Sequence, residues 1–254
     1  MRPLHPFSTA LLFSLLIACR DPSTSEPDSS SPTDDTVSGP DGVDVELLNL
    51  QAEPLEAVQT VLQVQWDTDL EVTHRVEFGE TEDLGYSTDQ STVASTSHEL
   101  LLVGMPADTD VFYRVISTTL DGDVVTGSLQ SASTGSIPPT IPELTLTEGS
   151  EPLNDYLACT LTGTTWSPVL IDGQGRIVWY ATEERGYNVY RSRLSRDRRA
   201  ILYNAVGVGN FELINESEIV RIGLNGEIEA SYSLPFMTHD FIELPDGDLI
   251  GIAY

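Results

Sequence analysis

The sequence predicts an all-β protein, an immunoglobulin-like sandwich followed by the first blades of a β-propeller. Three observations carry that prediction. Apolar and polar residues alternate with period two from Val45 to about Thr134, and turn residues separate the runs. No stretch in that region shows convincing helical periodicity. Beyond residue 142 a strand–glycine–strand unit recurs at a spacing near fifty, the period of four-stranded propeller blades.

The chain opens on Met1-Arg2-Pro3, an apolar stretch from Phe7 to Ala18, and then Cys19. A basic start followed by about a dozen apolar residues reads as a secretory signal, too short to span a bilayer, which takes roughly 20. Leu16-Ile17-Ala18-Cys19 resembles the lipobox of bacterial lipoproteins. The resemblance implies a signal peptide over 1–18, acylation of Cys19, and a chain held to a bacterial membrane in the cell envelope. Several acyl chains on one cysteine anchor stably, at about 0.8 kcal/mol per buried methylene. An ordinary signal peptide with a coincidental cysteine is the alternative. Cys159 is then the remaining free thiol, expected as a buried small apolar residue.

Residues 19–44 are rich in Ser, Thr, Pro, Asp and Glu, with seven acids against one arginine. Such a stretch buries too little apolar surface to offset its ordering entropy and reads as an acidic, disordered tether. The whole chain has 254 residues, 40 Asp+Glu, 12 basic residues that are all arginine, and a formal charge of -28. That balance excludes a nucleic-acid partner, because phosphate neutralisation needs a basic face. It also excludes electrostatic adhesion to an anionic membrane.

Residues 45–134 carry strands at 61–66, 76–78, 98–104, 111–118 and 124–130, with turns at Phe78-Gly79-Glu80, Pro106-Ala107-Asp108 and Asp121-Gly122-Asp123. About seven short strands in some ninety residues indicate a sandwich. Val64-Gln65-Trp66, Arg75 to Gly79, His98 to Leu102, Gly104-Met105, Thr109 and Phe112 to Val115 resemble a fibronectin type III domain. The nearest variety precedes the catalytic domain of purple acid phosphatases. The sequence departs from that pattern at Val111, where the tyrosine of the corner usually stands, with Tyr113 two residues on. No Asp-x-His or Gly-Asn-His-Asp/Glu metal motif follows downstream, so the sandwich reads as a spacer or binding module. His74 and His98 lack partners at ligand spacing and read as surface or half-buried residues.

Residues 135–142 form a Pro-rich linker, and 143–254 a partial propeller. Val169–Trp179 and Val220–Ile228 are the same strand–turn–strand unit, with Gly175 and Gly226 51 positions apart. A second hairpin recurs at Leu194–Tyr203 and Leu244–Ile250, its leucines 50 apart. Propellers close with roughly four to eight blades, and about two are present. An open stack of blades exposes strand edges. The sequence is therefore expected to be a fragment lacking C-terminal blades; a degraded gene, or assembly through another chain, are the alternatives.

Leu234-Pro235-Phe236-Met237-Thr238-His239-Asp240-Phe241, followed by Leu244-Pro245-Asp246-Gly247, resembles the arylsulfotransferase family of six-bladed propellers, as does Gly175–Tyr180. The likeness covers about 155–254. It implies transfer of a sulfuryl group from an aryl sulfate to a phenol through a histidine, with no metal or other cofactor. It places His239 among the sulfuryl-binding histidines and the nucleophilic one on a later blade. Asp240 is expected to orient His239. Laying Leu194 on Leu244 sets Val189-Tyr190 against His239-Asp240, so this polar pair is not needed to build a blade. Arg191 and Arg193 alternate on one strand face and are candidate substrate-binding residues for the anion, with a solvated hairpin tip as the alternative. The competing function is a non-catalytic surface lipoprotein whose two β domains are binding modules.

Overall fold

The computed structural model describes residues 44–145, 156–207 and 215–253. The signal segment, Cys19 and nearly all of the tether lie outside the described residues. Among the described residues the chain is all-β, with sixteen strands and no helix.

The first seven strands build the sandwich: β1 (Leu47–Pro54), β2 (Leu62–Gly79), β3 (Tyr86–Ser87), β4 (Ser95–Leu102), β5 (Asp110–Thr119), β6 (Val124–Thr126) and β7 (Gln130–Ser133). The two strands read at 61–66 and 76–78 are one strand of 18 residues, β2. Its first half pairs with β1 and β4, its second half with β3 and β5. Between the halves, Asp69-Leu70-Glu71 are exposed, and there one curled sheet passes from one layer to the other. Alternate residues of both halves then face inward. Leu62, Val64, Trp66, Val76 and Phe78 meet Leu102, Met105, Val111, Tyr113 and Val115 in one core. The run read at 124–130 is two short strands, β6 and β7, which pair with successive parts of β5.

Half-buried His74 and buried His98 lie around Trp66. The ring centroids of the three are 4.7–5.0 Å apart. His98 is buried and its Nε2 hydrogen-bonds Thr68 Oγ1 at 2.9 Å. Both Nδ1 atoms are buried without a partner among the described residues. Burial, and then His98 nearby, pulls the His74 imidazole down to about 4; burial also lowers His98, with Asp67 opposing. A lowered histidine pKa contributes stability that is present above the unfolded value near 6.5 and lost as pH falls. The midpoint of thermal unfolding is therefore expected to drop between pH 6.5 and 4. His74→Phe, which keeps a ring and removes the titration, should flatten that drop in melts recorded by circular dichroism.

The remaining strands form blade-type sheets. β8 (Leu157–Thr162), β9 (Trp166–Ile171) and β10 (Ile177–Tyr180) make a three-stranded sheet. β11 (Asn188–Leu194), β12 (Ala200–Val206), β13 (Glu218–Gly223) and β14 (Ile228–Ser233) make a four-stranded antiparallel meander. β15 (Met237–Glu243) and β16 (Leu249–Ala253) make a hairpin. The repeat is visible in the turns. In the β9–β10 turn Gly175 N donates to Asp172 O, and in the β13–β14 turn Gly226 N donates to Gly223 O. Both glycines have φ near +80°, a conformation that a side chain would strain. The four-stranded blade joins the second hairpin of one repeat to the first hairpin of the next.

The blade stacks because its central strand is apolar on both faces. Every residue of β12 is buried. Ile201, Tyr203 and Ala205 pack toward β9 and β10, while Leu202 and Val206 pack toward Met237 and Phe241 of β15. Cys159 is half-buried against the first of these cores, and burial pushes its thiol up. The sandwich is not a detached spacer. Val58, Val61 and Ile141 belong to the same core as Val178, Trp179, Ile201 and Val220. Arg176 bridges to Glu80, with both nitrogen–oxygen distances 2.7 Å, and Tyr180 Oη accepts from Gln59 N at 3.0 Å.

Candidate functional site

The site forms where the first strands of successive sheets converge. β11 is an edge strand of its sheet, and it packs on β8 and β9 on one side and on β15 on the other. Thr160 Oγ1 and Ser192 Oγ tie β8 to β11 at 2.6 Å. Both β11 and β15 bulge at this level. Tyr190 and Arg191 lie between the pairs Val189↔Ala205 and Ser192↔Tyr203. Thr238, His239 and Asp240 lie between Met237↔Ala253 and Phe241↔Gly251. Bulges re-aim side chains and gather next to functional sites.

One residue holds the two bulges together. Asn204 is fully buried in β12. Its Oδ1 accepts from the N–H groups of Tyr190 and Arg191, at 3.0 and 2.7 Å, and its Nδ2 donates to the Thr238 carbonyl at 3.1 Å. The bulge donors that β12 leaves unpaired are thus satisfied by a side chain. Asn204 escaped the sequence reading, although a lone amide in the apolar run Ala200–Val206 was its signal.

His239 is exposed. Its ring centroid is 4.5 Å from that of Tyr190, and Tyr190 lies 5.5 Å edge-on from Trp166. Three rings from three sheets thus form a row, at separations typical of interacting aromatics. Beside the row, Asp240 accepts from both arginines: from Arg191 Nε at 3.1 Å and Nη2 at 3.5 Å, and from Arg193 Nη2 at 3.2 Å. Partial burial works against ionisation of Asp240, but Arg193, the Phe241 N–H and Arg191 together hold its carboxyl below the usual range. His239, Asp240, Arg191 and Arg193 therefore stand within one small patch.

Two details differ from the sequence reading. Asp240 does not bond His239; its oxygens go to the guanidiniums and to the Phe241 N–H. Within the β15 bulge the carboxylate is turned to the arginines and the imidazole lies against Tyr190. The internal alignment also shifts. Five residues lie between the Glu243↔Leu249 pair and six between Leu194↔Ile201. His239-Asp240 therefore corresponds to Tyr190-Arg191, not to Val189-Tyr190.

Arg196, Arg198 and Arg199 lie at the β11–β12 hairpin tip, where their backbone N–H groups are hydrogen-bonded. Arg196 N donates to Glu243 and Arg199 N to Asp197, which Arg221 also holds at 2.7 Å. Among the described residues no group of three or more His, Cys, Asp or Glu side chains is placed to hold a metal ion. A groove of about 580 Å³ between sandwich and blades is lined by Gln59, Tyr180, Glu183, Arg185, Tyr203 and Gly226. Its buried carboxylate, Glu183, is committed to Arg185 and Tyr203. No protein-family model matches the chain, and no curated protein matches it. The chemistry of the patch therefore stands on its own residues.

Proposed function

We propose that this chain is an arylsulfotransferase-like protein of the bacterial cell envelope, anchored through a lipid on Cys19, whose blades bind an aryl sulfate at the His239 patch. One observation carries the reading: an exposed imidazole lies against an aromatic row, next to two arginines that share a single carboxylate. Guanidinium groups match sulfate oxygens geometrically and electrostatically, and Trp166 and Tyr190 offer faces for an aryl group. In transfer, the bond from sulfur to the aryl oxygen breaks and a phenolate leaves. In the family that the chain resembles, a histidine of a later blade, distinct from His239, takes up the sulfuryl group, and a phenol oxygen then attacks sulfur with release of its proton. His239 is assigned to binding: its N–H donates to a sulfuryl oxygen as charge develops there.

A non-catalytic binding module is the second reading. It is favoured by residues 135–254 holding a single histidine, His239, which leaves the binding role without a nucleophile among them. Titration calorimetry with 4-nitrophenyl sulfate tests the shared binding step, and release of 4-nitrophenol in the presence of phenol tests transfer. His239→Ala is expected to weaken ester binding by about tenfold, the loss of roughly one charge-assisted hydrogen bond, with the fold intact by circular dichroism. Unchanged ester affinity in that variant overturns the assignment.

A further inference from the structure

We propose that Asp240 is a displaceable internal anion: its carboxylate occupies, across Arg191 and Arg193, the place a sulfate-ester oxyanion takes, so that the ligand enters by exchange with Asp240. This deepens the aryl-sulfate reading and rests on it.

The ion-pair stoichiometry points there first. Elsewhere in the blades, Arg176 holds Glu80 and Asp172, Arg185 holds Glu183 and Glu218, and Arg221 holds Asp197 and Glu229. Each of those cations has two carboxylates. At Arg191 and Arg193 the ratio inverts among the described residues, and two cations share one carboxylate; Arg75 and Arg114 share Glu77 in the same way in the sandwich, but there Arg114 reaches the carboxylate at 2.9 and 2.7 Å. Among the described residues the patch thus sets two guanidiniums against one carboxylate, within a chain of net charge -28.

The bond lengths point the same way. Arg176 and Arg221 reach their carboxylates at 2.7 Å, the usual length of a charge-assisted bond. The three contacts of Asp240 with the arginines are 3.1, 3.2 and 3.5 Å. The side chains of Arg191 and Asp240 are 44 % and 42 % exposed, and ion pairs this open contribute little. A carboxylate has two oxygens, and Asp240 Oδ1 serves three donors: Arg191, Arg193 and the Phe241 N–H. Arg193 Nε is buried without a partner, a donor the carboxylate leaves unused. A tetrahedral oxyanion presents more acceptors than Asp240 can. The 2.8 Å bond from Phe241 N to Oδ1 lies within β15 and does not depend on the arginines. Displacement then requires rotation of the Asp240 side chain, which moves Oδ1 away from the arginines and from the Phe241 N–H together.

Calorimetric titration of the wild-type chain and Asp240→Asn, with inorganic sulfate and with 4-nitrophenyl sulfate, tests the proposal. Asp240→Asn is expected to bind both anions about tenfold more tightly, and added sodium chloride should erode that gain. Arg191→Gln, which leaves Asp240 paired one-to-one with Arg193, should bind both more weakly. Melting curves check that each variant is folded, and Asp240→Ser replaces Asp240→Asn should the latter unfold. Unchanged or weaker anion binding on removal of the carboxylate overturns displacement, and if the wild-type chain still binds the ester, the aryl-sulfate reading survives. Tighter inorganic sulfate with no ester binding by any form supports displacement and instead overturns the aryl-sulfate reading.

Discussion

Trp179→Ala is expected to destabilise the protein by about 3–5 kcal/mol, the usual cost of deleting a buried indole. Trp179 is 0 % exposed and lies in the core shared by sandwich and blades. Its Nε1 donates to the Leu224 carbonyl at 2.9 Å, so the variant also leaves that acceptor without its partner. A loss of this size is a large part of the roughly 5–15 kcal/mol that holds a domain folded. Urea unfolding followed by tryptophan fluorescence and by circular dichroism measures it. Because Val58 and Val61 lie in the same core, both probes should move together. A shift under about 1 kcal/mol, or a fluorescence transition left behind by the circular dichroism signal, contradicts the shared core.

Arg185→Met should cost a similar amount by a different mechanism. The Glu183 side chain is 1 % exposed. It accepts from Arg185 Nε at 3.0 Å, Arg185 Nη2 at 2.6 Å, the Arg185 N–H at 2.8 Å and Tyr203 Oη at 3.2 Å. Removing the guanidinium leaves a buried carboxylate without its counter-charge, a defect of about 3–5 kcal/mol. The double variant Glu183→Gln with Arg185→Met removes the charge as well and should recover most of the loss. Equal stability of the single and double variants in urea would show that the ion pair is not the source.

The fold was legible in the sequence wherever a period or a turn residue carried it. Gly175 and Gly226 mark equivalent turns because the backbone there requires a positive φ. The apolar run Ala200–Val206 marks a strand covered on both faces. The joint in β2 was not legible: separate strands were read at 61–66 and 76–78, yet the backbone continues through Asp69-Leu70-Glu71 while the pairing partners change. His74 is half-buried, as its sequence position suggested, but the burial of His98 was not legible, since it depends on stacking on its ladder partner Trp66 and on contact with His74.

The His239 patch divides the same way. The sequence by itself determined its residue types, the positions of Arg191, Arg193, His239 and Asp240 near the starts of blade hairpins, and the acid excess that makes paired arginines stand out. Only the tertiary structure decided who pairs with whom. The bulges in β11 and β15, held by Asn204, set which way consecutive side chains point. That register sends Asp240 to the arginines and His239 to Tyr190. The physical reason is that strand periodicity fixes direction only while the ladder is regular. A bulge adds residues on one strand alone, and its outcome depends on hydrogen bonds made by a residue of a neighbouring strand.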